Sequence, residues 1–171
     1  SSTDRSLLQG EVPIEAVLII AAVPLDWQHV YALWTHLECV TNGIDKVLIS
    51  APDTDWSKNI IEAVITQFKQ IAGSSLSFEL DVAYYTNDRY DVGLWCDGLS
   101  LYYGFDGKQF TGEHSNNING SRAIFLINDS SVSLRQYDDI IERTTQAARL
   151  EQILQQKQKQ QYNQTSTTTE N

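Results

Sequence analysis

The chain has 171 residues, 42% hydrophobic and 20% charged, which is enough for one domain with a real core. Its 12 Lys and Arg against 22 Asp and Glu leave a net charge of −10, which excludes a nucleic acid held on a basic face and a polybasic membrane surface. No run approaches the roughly 20 apolar residues of a bilayer span, so membrane association is expected only through a segment absent from this chain.

Residues 1–12 read as an N-terminal arm, 13–150 as an α/β domain and 151–171 as a polar Gln/Ser/Thr-rich tail, expected to be disordered. "IEAVLIIAAV" (14–23) is nearly continuous apolar sequence, the signature of a strand covered on both faces. Pro24 and Asp26 punctuate it, and Asp26 suits a helix N-cap. Trp27, Val30, Leu33, Trp34, Leu37 and Val40 then recur at helical spacing, and Asn42-Gly43 stops that helix. "IDKVLIS" (44–50) predicts a second strand. A second helix follows, capped by Asp55 and stopped by Gly73, with Ile60, Ile61, Val64, Ile65, Phe68 and Ile71 on one face.

"LSFELDVAYYT" (76–86) predicts strand three, a helix follows over about 90–103, and 104–121 is a polar loop. "RAIFLIN" (122–128) is a fourth buried strand, and from Tyr137 an apolar stripe through positions 140, 141, 147, 150, 153 and 154 predicts a last helix. The alternation β-α-β-α-β-α-β-α specifies a three-layer α/β/α fold with a mostly parallel sheet. Such sheets bind ligands beyond the carboxyl ends of their strands, here the loops 23–27, 50–56, 86–92 and 128–136.

"TNDRYDVGLWCDGL" (86–99) concentrates unusual chemistry at one of those ends. As structure, Asn87 and Asp88 are helix caps, Asp91 suits the helix dipole and Arg89 pairs with an acid. As a ligand site, Arg89 grips a phosphate or carboxylate and Asp91 accepts hydrogen bonds from hydroxyls. Gly93 and Gly98 inside the helix each cost about 1 kcal/mol against alanine, so close approach to a strand or ligand is expected there. Trp95 is expected in the core rather than as a ligand platform. "LINDSS" (126–131) offers Asn128, Asp129 and Ser130, either as a turn or as a carboxylate for a divalent cation on a diphosphate. Asp53 and Asp55 in "SAPDTDW" read as a cap or as recognition of a base or ribose.

His29, His36 and His114 fall in no nucleophile motif. G-x-S-x-G, G-x-G-x-x-G and G-x-x-x-x-G-K-[ST] are all missing. Cys39 and Cys96 have no metal-ligand spacing and are read as packing residues. Sequons at Asn119, Asn128 and Asn163 leave a Golgi or secretory lumen and the cytoplasm both open.

"NDRYDVGLWCDGL" and "IFLINDSSVSLRQYDDI", with a looser match over "VLIIAAVPLDWQHVYALWTHLECVTNGIDKVLISAP", resemble glycosyltransferases of the GT-A fold. More narrowly, they resemble the rhamnan-synthesis glycosyltransferase family and related algal proteins, over residues 14–145. The resemblance implies a GT-A, Rossmann-like nucleotide-binding half. It implies a nucleotide-sugar donor held by Asn87, Arg89, Asp91, Gly93, Asn128 and Ser130, and a Mn or Mg ion at Asp129. It implies transfer of the sugar to a glycan acceptor. The family's acid pair spaced by one residue is missing: Asp129 is the one acid of "INDSS". No catalytic base stands out after it, since Asp138, Asp139 and Glu142 read as surface charges. A truncated or non-catalytic binding or scaffold module, using the helix at 137–160 as its partner surface, is the alternative expectation.

Overall fold

The computed structural model describes residues 14–40, 43–86, 88–111, 121–130, 146–147 and 149–160. Strands β1 (Ile14–Ala21), β2 (Lys46–Pro52), β3 (Glu79–Tyr85) and β4 (Ser121–Asn128) form one sheet in the order β3-β2-β1-β4. Every pair is parallel. Helices α1 (Trp27–Cys39), α2 (Asp55–Ala72) and α3 (Tyr90–Asp97) occupy the connections. The architecture is three-layer α/β/α and Rossmann-like, as the sequence predicts.

β1 lies at the centre because both its faces are apolar. Ala16, Leu18 and Ile20 pack with Leu33 and Leu37 of α1 and with Ile61, Val64, Ile65 and Phe68 of α2. Val17 and Ile19 face the other way, against Leu48, Trp95, Leu99 and Tyr103. The chain steps outward from β1 to β3, then returns to place β4 on β1's opposite side. That reversal and the change of helical face go together when crossovers keep one hand. It leaves a switch point at the carboxyl ends of β1 and β4, where Ala21 pairs with Asn128.

Several local expectations hold. Asp26 caps α1 by accepting from the Gln28 and His29 backbone N–H groups, and Gly73 ends α2 at φ 57°. Others are corrected. α2 is capped by Thr54, whose hydroxyl accepts from the Ser57 N–H at 3.1 Å, while Asp55 lies in the first turn. α3 has Arg89 at its N-cap position with no side-chain cap bond, so Asp88 does not cap it, and Asn87 lies outside the described residues. The third helix also changes pitch: after Asp97 the chain continues as a π-helical turn, Gly98–Tyr102. The polar loop after it contains a bridge between Phe105 and Phe110, and Phe110 packs under the sheet. Ile71 is exposed rather than on the core face of α2. Cys96 is exposed and Cys39 half-buried, so neither is a fully buried packing residue.

Gly98 has the close approach expected of it. A Cβ there would lie 3.2 Å from Leu48 Cδ2 and 3.3 Å from Ile19 Cγ2, against the middle of the sheet. Gly98→Leu is therefore expected to cost roughly 1–3 kcal/mol by overpacking, read as a lower urea midpoint at unchanged slope. Gly93 has a nearer neighbour, Arg89 Cβ at 2.9 Å from an added Cβ.

Residues 149–160 are helical, and Leu150, Ile153 and Leu154 are exposed on them. The predicted helix start at Tyr137 and the acids Asp138, Asp139 and Glu142 lie outside the described residues.

Candidate functional site

The switch point brings α1, α3 and the end of β4 together. Asp129 follows β4 and continues its ladder, donating its N–H to the Ala21 carbonyl at 3.1 Å. This draws the Asp129 side chain down beside the start of α1, where it is 2% exposed. Its Oδ2 is buried and has no hydrogen-bond partner. Burial pushes the carboxyl up to about 6; His29 and the Val23 N–H oppose that rise, and Asp91 adds to it.

Asn128 is the hinge pin of the site. Its carbonyl accepts from His36 Nε2 of α1 at 2.8 Å, and its side-chain Nδ2 donates to Asp91 Oδ2 of α3 at 2.8 Å. Its Oδ1 accepts from the Ser130 N–H at 3.3 Å. Asn128 thus clamps the two predicted loops to each other, and its side chain serves that clamp. A glycan on this sequon would displace the clamp.

A cavity of about 580 Å³ opens here, lined by Trp27, Gln28, His29, Tyr31, Ala32, Asp129 and Ser130. That size is within the range of small-molecule sites. Within it, His29 Nδ1 lies 2.8 Å from Asp26 Oδ1. A carboxylate only accepts, so Nδ1 carries the proton and Nε2 is the basic nitrogen of the neutral ring. The same contact, with the His29 and Gln28 backbone N–H groups, holds the Asp26 carboxyl below its usual range.

The other predicted residues surround this core. Arg89 is exposed, with Nη2 3.3 Å from Asp97 Oδ1. Asp91 is half-buried on the clamp, and Gly93 is buried beneath Arg89. Ser130 is exposed at the cavity rim. Asp53 is paired with Lys58 at 2.5 Å, and Lys58 also lies over the Tyr84 ring, so that loop end is engaged locally. Trp95 is a packing residue as expected: its ring lies against the second core and its Nε1–H donates to the Ile127 carbonyl at 2.7 Å.

Sequence reasoning missed Asp26, His29, Trp27 and Tyr31 as site residues. Trp27 was expected on the buried face of α1, yet it is 72% exposed. It sits in the first turn of α1, on the wall of the cavity. The available signal was D-x-x-H opening a helix directly after a buried strand.

The described residues offer a resident divalent cation no ligand set: among them Asp129 is the one carboxylate lining the cavity, and no three His, Cys, Asp or Glu converge to hold a metal ion. No protein-family model, curated protein or solved structure matches the chain.

Proposed function

We propose that this domain binds a nucleotide-sugar donor across the carboxyl edge of its sheet and transfers the sugar to a glycan acceptor. The observation carrying the reading is the clamp between Asp91 and Asn128, which joins the two loops singled out for a donor beside a buried carboxylate at the switch point. Arg89 takes a donor phosphate: it is solvent-exposed, and its contact with Asp97 is long for a charge-assisted bond. Asp91 accepts from a ribose or sugar hydroxyl through the oxygen not bound to Asn128. Ser130 adds a hydroxyl at the rim.

Transfer also needs a base for the acceptor hydroxyl, and His29 supplies it. The acceptor oxygen forms a bond to the anomeric carbon as the bond to the diphosphate breaks. The diphosphate leaves with the bonding electron pair, and the hydroxyl proton moves to His29 Nε2. Asp26 on Nδ1 holds the required tautomer and stabilises the imidazolium.

The test is thermal unfolding with a panel of nucleoside diphosphates and their sugars. A ligand that binds only the folded state adds about 2.7 kcal/mol of stability at a hundredfold excess over Kd and so raises the midpoint. Arg89→Ala is expected to weaken binding about tenfold or more, the loss of one charge-assisted hydrogen bond. The unliganded melting point should stay put, because the side chain is exposed. No shift with any nucleotide removes the donor reading. Binding with neither transfer nor donor hydrolysis leaves a non-catalytic binding module of the same fold.

A further inference from the structure

The cavity has a chemical bias of its own. Trp27 and Tyr31 lie one helical turn apart on α1 and are 72% and 56% exposed. Neither belongs to either hydrophobic core. Two large rings held in water beside a cavity are costly to leave uncovered and add nothing to the packing beneath them. Between them and β4 lies Asp129, a carboxylate 2% exposed whose Oδ2 has no partner. A buried acceptor without a donor is costly, and Asp129 lines this cavity, so a ligand hydroxyl that reaches that oxygen is favoured.

Among the described residues no Lys or Arg lines the cavity, and the chain as a whole carries −10. A phosphate placed here would meet Asp129 and no fixed cation, so the anionic part of any ligand lies elsewhere. What remains is a neutral group with an apolar face and several hydroxyls. The face of a pyranose ring presents polarised C–H groups, which suit the negative face of an aromatic ring. Its hydroxyls donate to a carboxylate and also accept, matching the mixture of Gln28, His29 and Ser130 around Asp129.

We infer that this cavity is a subsite for a neutral saccharide, whose ring stacks on Trp27 and Tyr31 and whose hydroxyls donate to Asp129. The inference rests on the function proposed above only in naming that saccharide as the acceptor; its binding requires no nucleotide.

The experiment is titration of the whole chain with neutral methyl glycosides and disaccharides, followed by tryptophan fluorescence and saturation-transfer NMR. Nucleosides and inorganic phosphate are titrated in parallel. A neutral saccharide is expected to bind without nucleotide and to perturb Trp27. Trp27→Ala should abolish the binding while leaving the melting point unchanged, Trp27→Phe should retain most of it, and Asp129→Asn should weaken it about tenfold, a charged hydrogen bond's worth.

The inference is overturned if no neutral saccharide binds, if binding survives Trp27→Ala, or if nucleosides bind here in preference. Saccharide binding with no nucleotide shift would remove the donor reading and keep this one. A nucleotide shift with no saccharide binding would do the reverse.

Discussion

Asp129→Asn is expected to make the protein more stable at neutral pH, by up to about 3 kcal/mol. Burial lifts the Asp129 carboxyl from 3.8 to about 6 in the folded state. The folded chain therefore binds that proton more tightly than the unfolded chain does. Between about pH 4 and pH 6 the folded state holds more protons, so this group's contribution to stability falls as pH rises and levels off above 6. At about 1.4 kcal/mol per pH unit, that window amounts to about 3 kcal/mol. Asparagine keeps the shape and the acceptor for the Val23 N–H and removes the charge. The measurement is urea unfolding of both proteins at several pH values from 4 to 7, reading the difference between them so that other carboxylates cancel. The advantage of the variant should grow with pH through the window. A difference that stays flat with pH would mean that Asp129 is not held as a destabilised acid. A stabilised variant that also loses saccharide binding would show that the carboxylate is kept for its ligand at a cost to the fold.

The largest loss is expected at Arg122. Its side chain is 5% exposed, with Nε 2.7 Å from Glu15 Oε2, and it lies over the Phe110 and Tyr103 rings at 4.7 and 5.7 Å. Glu15 is 12% exposed and has Lys46 Nζ at 3.4 Å as its other cation. Arg122→Leu removes the nearer cation from a carboxylate that cannot return to water, and it strips the guanidinium from two aromatic faces. Breaking a buried pair on one side costs about 3–5 kcal/mol, and Lys46 brings the expectation to the lower end, about 3 kcal/mol. The double variant Glu15→Leu with Arg122→Leu should recover much of that, because it leaves no orphaned charge. Denaturant unfolding of the two single variants and the double variant measures the coupling. A loss under about 1 kcal/mol for Arg122→Leu would mean that the pair is solvated and contributes as a surface pair does.

Much of the frame is legible in the chain because it depends on local physics. "IEAVLIIAAV" is apolar on both of its alternating faces, so it had to be a covered strand, and it is one of the sheet's two interior strands. Asp26 before Trp27 and Gly73 after Ala72 mark helix ends through groups that act within a single turn. Where two residues competed for one local job, the sequence did not separate them: Thr54 and Asp55 both suit a cap, and the hydroxyl took the place. Gly98 announced a close approach without naming its partners.

The site needed the sheet order. Asp129 and His29 are separated by a hundred positions, and no spacing rule connects them. They meet because β4 returns to pair with β1, a choice made by which strand faces can be buried together, not by any motif in either segment. The same return put Asn128 within reach of His36 and Asp91 at once. Trp27 reversed its expected face for a related reason: helical spacing records which residues share a side but not where the sheet beneath them stops.

The sequence alone therefore determined the elements, their parallel pairing and the edge of the sheet where the candidate site lies. Tertiary structure decided which loops share that edge, that Arg89 and Asp53 turn to acid or lysine partners there, and that Asp129 is buried with an unpartnered oxygen near two exposed rings. The first set follows from interactions within a few residues of each other. The second follows from long-range packing, which joins distant segments only once the strands have found their order.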